Sequence, residues 1–389
     1  MLLAALISAT STSSAALAAT STHSFSFVGT FRPVLLDEGL PLHPREHGRT
    51  QLGATLEAAI VYRPGLAELE VGAGALARLP FALNFSEELA AAPLVWAELT
   101  PIEGSRLRLG SLRRAHGHHR SVFDEERARY GRNLSALYLR ALHPSVERTL
   151  DDDPALGSQN GAEVFGAYGP LDFDAYLDWQ LLETSAHREK LTFGAVARAT
   201  STYLFATTEL RIAHYGGQLF TRSDPIRFAG SDPVRQPTTY AATIGLTPLA
   251  GPISLELTGT IVHAFGVLVE RSRTAGGRSG LEPITHRTGV EPRVELGFER
   301  SGGPQKLGLE MSWSMWLPDS EGFFGEEGDP IYSGPQSHRV GLSTSLDEGT
   351  VTLRGRVEVI FPSTTSEVQY LALTALELRF EAPLWTSSR

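Results

Sequence analysis

The chain lacks cysteine altogether. That excludes zinc–thiolate sites, thiol nucleophiles, iron–sulfur ligation and disulfide frameworks. Nowhere beyond the N-terminus does it hold about 18 uncharged apolar residues in a row, so no segment reads as a membrane-spanning helix. It has no excess of positive charge either. With 34 Lys+Arg against 44 Asp+Glu, the net charge of −10 opposes general nucleic-acid binding, which needs a basic balance. A GxSxG nucleophile elbow and a lysine-bearing phosphate loop are both missing, and Gly276-Gly277-Arg278-Ser279-Gly280 lacks the context of one. No repeat of 20–50 residues recurs, which argues against propellers and solenoids.

What remains is a 389-residue chain with 42% hydrophobic residues, 38 Gly and 23 Pro, too apolar for disorder. Residues 1–18, MLLAALISATSTSSAALA, are apolar and small, and close on Ala16-Leu17-Ala18. That small-x-small ending reads as a signal-peptidase site, giving a mature domain over 19–389.

The mature chain is patterned almost throughout with period two. In 171–180, Leu171, Phe173, Ala175, Leu177 and Trp179 oppose Asp172, Asp174, Tyr176, Asp178 and Gln180. A helix would scramble those sets, so the segment is a strand, and three carboxylates on one face exclude a dry core behind it. The same split recurs in 306–315, 290–299 and 351–359, and in 376–381. Sixteen strand-sized runs are placed near 24–31, 50–62, 66–79, 93–99, 106–113, 161–168, 171–180, 189–199, 202–213, 238–247, 253–265, 287–299, 305–316, 338–345, 350–361 and 367–381, with fourteen to eighteen as the range. Short connections follow the even runs. Longer ones, 32–49, 80–92, 114–160, 181–188, 214–237, 266–286 and 317–337, follow the odd runs. This sorting predicts an all-β fold: a single antiparallel transmembrane β-barrel with short periplasmic turns and long external loops. Aromatics near strand ends (Phe25, Phe27, Phe81, Phe85, Trp179, Tyr203, Phe205, Trp313, Trp316, Phe361, Phe380 and Trp385) are expected to form interfacial girdles.

On these features the mature chain resembles bacterial outer-membrane porins and porin-like β-barrels. RLRLGSLRRAHGHH at 106–119, FDAYLDWQ at 173–180 and HREKLTFG at 187–194 look like the comparable regions of such families. The chain departs from them where LELRFEAPLW continues into Thr386-Ser387-Ser388-Arg389 instead of ending on Phe. The resemblance implies a Gram-negative outer-membrane location. It also implies passive diffusion of small hydrophilic solutes, no covalent chemistry and no cofactor, with monomer and homotrimer both open. The partners expected are outer-membrane lipid and the solute, and no nucleic acid. Two alternatives stand beside it: a closed-lumen scaffold or receptor that binds partners through its loops, and a barrel-embedded lipid hydrolase with a Ser–His pair on its outward rim.

The expected pore lining is Arg106, Arg108, Arg113, Arg114, Arg120, Arg127, Arg129, Asp172, Asp174, Asp178, Glu209, Arg211, Glu291, Arg293, Glu295, Arg354, Arg356 and Glu358. Glu68, Glu70, Glu310, Glu377 and Arg379 are further inward candidates. Either the third loop, 114–160, folds inward and sets its arginines against Asp172, Asp174 and Asp178, or it projects outward as a solvated excursion. His116, His118 and His119 cluster at its start. Imidazoles ligate metals, but the flanking arginines oppose a cation and no zinc-type spacing follows, so no metal site is expected. Asp151-Asp152-Asp153 reads as a solvated acidic run.

Overall fold

The computed structural model describes residues 22–38, 49–64, 69–80, 90–112, 116–122, 160–181, 189–216, 238–249, 251–265, 269–273, 279–283, 286–302, 305–319, 332, 336–363 and 368–388. Outside them lie residues 1–18, expected to be an export segment, Glu68, Phe81, Phe85, Arg113, the acidic run 151–153 and most of 114–160, including Arg114, Arg127 and Arg129.

Sixteen strands close into one antiparallel barrel. In chain order they are β1 (Thr22–Glu38), β2 (Arg49–Arg63), β3 (Leu69–Pro80), β4 (Ala90–Leu99), β5 (Ser105–Ser111), β6 (Asn160–Tyr168), β7 (Leu171–Leu181), β8 (Glu189–Thr200), β9 (Leu204–Gly216), β10 (Thr238–Leu249) and β11 (Ile253–Phe265). After a separate two-stranded hairpin of β12 (Val269–Arg273) and β13 (Ser279–Pro283) come β14 (Arg287–Gly302), β15 (Gln305–Pro318), β16 (Ser337–Asp347), β17 (Val351–Pro362) and β18 (Gln369–Ser388). Every barrel strand pairs with its chain neighbours, β11 with β14 across the hairpin, and β1 closes the ring on β18. No helix among the described residues is long and apolar enough to cross a membrane; the chain crosses with strands.

The sixteen strands expected from the sequence are the sixteen of the barrel. Two boundaries and one element differ substantially, and the other boundaries lie within three residues of the expected ones. β1 extends to Glu38, and β18 runs on to Ser388, paired with Thr22. The β18 extension contains Pro383, which has no N–H to offer the ladder, and a register shift on β1 at Phe25/Ser26 accommodates it. The β12–β13 hairpin falls inside the expected loop 266–286, where five-residue strands leave no alternation to read. Tight reversals occupy the other end of the barrel, as at Gly169-Pro170, where Gly169 adopts φ +59, a left-handed conformation suited to glycine.

The period-two sets sort as the barrel demands. Leu177, Trp179, Leu309, Met311, Trp313, Val294, Leu296 and Val357 are exposed on the outer surface; Ile244 is 68% exposed and Met311 55%. Such a band running round the ring far exceeds the apolar patch of a soluble monomer and needs lipid to cover it. The carboxylates, guanidiniums and hydroxyls of alternate positions line the inside. Closure leaves no open sheet edge, the condition for strands in a bilayer.

Among the aromatics, Phe25, Trp179, Tyr203, Trp313, Phe361, Phe380 and Trp385 are exposed as a girdle requires. Two depart from that expectation. Phe205 is buried on the inward face, under the Arg198 guanidinium 4.4 Å away, and Trp316 is fully buried inside the barrel. Each has inward parity on its own strand; proximity to a strand end does not reveal which face a residue takes.

Candidate functional site in the lumen

The inner wall is a lattice of ion pairs within and between strands. Arg32 on β1 bonds Glu57 on β2 at 3.0 Å and Glu377 on β18 at 2.7 Å. Arg63 reaches Glu70 and Glu381 at 3.0 and 3.1 Å, and Arg293 reaches Glu295 and Glu310 at 2.6 and 3.5 Å. Arg106 and Arg108 both lie 3.4 Å from Glu98, with Arg108 also over the Trp96 ring. The registry of an antiparallel ladder sets pairs such as Arg32–Glu377, Arg63–Glu70 and Arg108–Glu98 across from one another, while Arg63–Glu381 reaches past β1 and Arg293–Glu295 lies along β14. These pairs give the wall charges of both signs held against one another.

Across this wall lies the start of the long connection after β5. The described stretch, 116–122, sits inside the barrel. Gly117, with φ +78, bends the chain between two imidazoles that address one phenol. His116 stacks on Tyr176 of β7 with ring centroids 3.8 Å apart, and His118 meets the same ring edge-on at 5.7 Å. Tyr176 has room to lie there because β8 opposite carries Gly194, where the Cβ of any other residue would fall 2.1 Å from the Tyr176 ring. His116 Nδ1 is 3.1 Å from Asp174 Oδ2 and 3.8 Å from Glu163 Oε1. His118 Nε2 pairs with Tyr176 Oη at 3.0 Å, and its Nδ1 lies 3.5 Å from Glu209. Burial holds the His118 imidazole below its ordinary pKa, and the nearby Glu209 only partly offsets this. Arg211 donates to the Tyr176 hydroxyl from β9.

The next residues reach a different wall. His119 donates its backbone N–H to Glu209 at 2.6 Å, while its Nε2 lies 3.2 Å from Glu291 on β14. Arg120 forks onto both oxygens of Glu358 on β17 at 2.9 Å. Arg356 bonds that carboxylate from its own strand. Glu291 also accepts from Arg339 of β16 and from the Tyr332 hydroxyl, each at 2.7 Å. Tyr332 comes from the connection before β16, and burial raises its phenol above the ordinary value, so it is a proton donor here. Val122 ends the crossing in an apolar cluster of Ala241, Val262, Trp316, Tyr332 and Ile360.

β7 and β17 stand eight places apart in the sixteen-membered ring, so the segment bridges opposite walls. This corrects one expectation about the loop. Arg120 faces Glu358, not Asp172, Asp174 and Asp178; four residues past His116 an extended chain has advanced roughly 13 Å. The β7 aspartates have other surroundings: Asp174 meets His116, Asp178 accepts the Asn160 N–H at 2.9 Å, and Asp172 is exposed. The remaining described candidates, Arg106, Arg108, Glu209, Arg211, Glu291, Arg293, Glu295, Arg354, Arg356 and Glu358, share inward parity. Sequence reasoning missed Glu163 and Tyr332. Glu163 was legible from its parity opposite the lipid-facing Val164; Tyr332 sits in aperiodic sequence and left no signal.

Below the crossing, two cavities flank Arg354. One, of about 610 Å³, is lined by Arg120, Arg293, Glu310, Arg354 and Arg356. The other, of about 770 Å³, is lined by Arg32, Glu57, Arg108, Glu377 and Arg379, again with Arg354.

This barrel, apolar outside and charged inside, is a porin-like bacterial outer-membrane β-barrel. A family model described as lipid A 3'-O-deacylase-type matches residues 44–230, a little under half of the chain. Comparison with curated proteins gives no match. Among solved structures, the chain is similar to an anion-selective porin from Comamonas acidovorans at 10% identity and TM-score 0.49, with 92% of this chain and 100% of that one covered. It is similar also to OmpT, an outer membrane protein of Vibrio cholerae, at 9% identity and TM-score 0.47 over 92% and 99% of the two chains. For the outer membrane protein opdK from Pseudomonas aeruginosa the values are 8% and 0.45, over 92% and 99%. These likenesses concern overall shape; the membrane location follows from the barrel's own strands.

Proposed function

We propose that the protein is a narrow diffusion channel for small hydrophilic solutes, with 116–122 as its constriction. The carrying observation is that opposed walls of the barrel are lined by charges of both signs. They surround the two cavities beneath a segment pinned by His116, His118, His119 and Arg120. Fixed charges in so confined a space act on a passing solute far more strongly than in bulk water. Export through residues 1–18 is part of this reading, with a mature chain starting near Ala19.

A second reading, removal of an acyl chain from an outer-leaflet lipid, is favoured by the family match over 44–230. The imidazoles of 116–119, within that span, face the lumen and bond carboxylates. On the outer surface, the imidazole–hydroxyl contact His263 Nδ1–Thr288 Oγ1 of 2.9 Å lies beyond the span. Planar-bilayer recording of wild type and a deletion of residues 116–122, with mass spectrometry of lipid A incubated with each, tests both. The channel predicts discrete steps whose size rises clearly on deletion. Electrical silence with acyl release would replace it by the enzyme, and silence in both assays would leave a closed scaffold.

A further inference from the structure

We infer that His116, Glu163 and Asp174 form a site for a divalent first-row transition cation that staples the lumen-crossing segment to β6 and β7. One ligand atom from each of the three residues lies within 4.8 Å of the other two. The closest separations, 3.1 and 3.8 Å, bracket the roughly 3.3 Å between ligand atoms around a tetrahedral ion with bonds of about 2.0–2.1 Å. All three side chains are at least nine-tenths buried: the His116 side chain is fully buried, Glu163 is 1% and Asp174 8% exposed.

Three further observations favour an ion over a purely ionic contact. Asp174 Oδ1 is buried and makes no hydrogen bond, so the carboxylate has an oxygen left to donate. Two carboxylates converge beside one imidazole, and their two negative charges match those of a dication. The Tyr176 ring stacked on His116 fixes the plane of the imidazole, as a ligating histidine requires. The donor set selects the metal class. An imidazole nitrogen with two carboxylate oxygens suits Zn²⁺ and its first-row neighbours, whereas Ca²⁺ and Mg²⁺ seek all-oxygen shells. With three protein ligands, a fourth position is left for water. Arg120, the described arginine next to the histidines in sequence, does not converge with the site: it is drawn away to Glu358.

The test uses untagged full-length protein folded in detergent and dialysed against chelator-buffered Zn²⁺, with bound metal measured by elemental mass spectrometry. The expected result is one tightly held equivalent that millimolar Ca²⁺ or Mg²⁺ does not displace. Asp174→Asn and Glu163→Gln should each weaken it at least about tenfold while the heat-modifiable gel shift still reports a folded barrel. If wild type holds no more zinc than Asp174→Asn, the site is refuted. Should both variants fail to fold, X-ray absorption of the wild-type zinc complex decides: one imidazole with oxygen ligands at about 2.0–2.2 Å supports it, and a shell without imidazole overturns it. Neither readout depends on whether the barrel conducts.

Discussion

The two ends of the lumen-crossing segment are held by different chemistry. Against β6–β9, His116 and His118 meet Glu163, Asp174, Tyr176 and Glu209. Against β14–β17, Arg120, Arg339 and Arg356 bind Glu291 and Glu358, with the apolar cluster around Val122 and Trp316 beside them. At the imidazole end the segment's own anchors, His116 and His118, are side chains that can lose their charge. The guanidinium end consists of cations that never discharge, so each needs its carboxylate continuously. The second end is therefore the rigid clamp, and the first is the end that a ligand or cation can adjust.

The largest effect is expected from breaking that clamp. Arg339 and Glu291 are 5% and 3% exposed, so Glu291→Gln strands a buried guanidinium and should cost about 3–5 kcal/mol. Glu163→Gln, at an equally buried carboxylate, should cost only about 1–3 kcal/mol in the presence of chelator, because its described partner His116 can stay neutral. Urea unfolding of the two variants in detergent compares them directly. Equal costs would erase the distinction between the two ends.

A smaller effect tests the apolar part of the clamp. Val122 is fully buried among Ala241, Val262, Trp316, Tyr332 and Ile360. Val122→Ala removes two methyl groups and leaves a cavity, for about 2 kcal/mol. Limited proteolysis reads where that energy is lost. Cleavage within 116–122 should quicken several-fold while the strands stay resistant; cleavage at an unchanged rate would show that the apolar cluster does not seat the segment.

The barrel was legible in the sequence because a membrane strand has two demanding faces. Lipid on one side and water on the other force the alternation seen in Leu171–Gln180, and sixteen such runs with sorted connections leave few other folds. The site was legible only in its wall. Asp174, Glu209, Glu291 and Glu358 carry inward parity, but nothing local says that Arg120 should meet Glu358, 238 positions away. That meeting depends on how far the segment travels from β5 before it turns. Trp316 was assigned to a girdle, and Tyr332 was missed, for a related reason. They fill the lumen where the segment ends, and the need for filling arises only once that segment is in place.

The smallest stability effect, and the one that bears on function, is expected below the crossing at Arg354. Its side chain is exposed and borders both cavities, the guanidinium they share. Arg354→Ala removes a solvated charge from a wall that keeps its neighbouring pairs, so unfolding should move by no more than about 0.5 kcal/mol. Permeation is a different matter. Removing one fixed positive charge from a lumen lined by charges of both signs tilts its potential toward cations. In a salt gradient the reversal potential of the variant should shift toward cation selectivity, and low ionic strength should enlarge the shift because screening weakens. A reversal potential identical to wild type at low salt would show that the conducted ions do not pass Arg354.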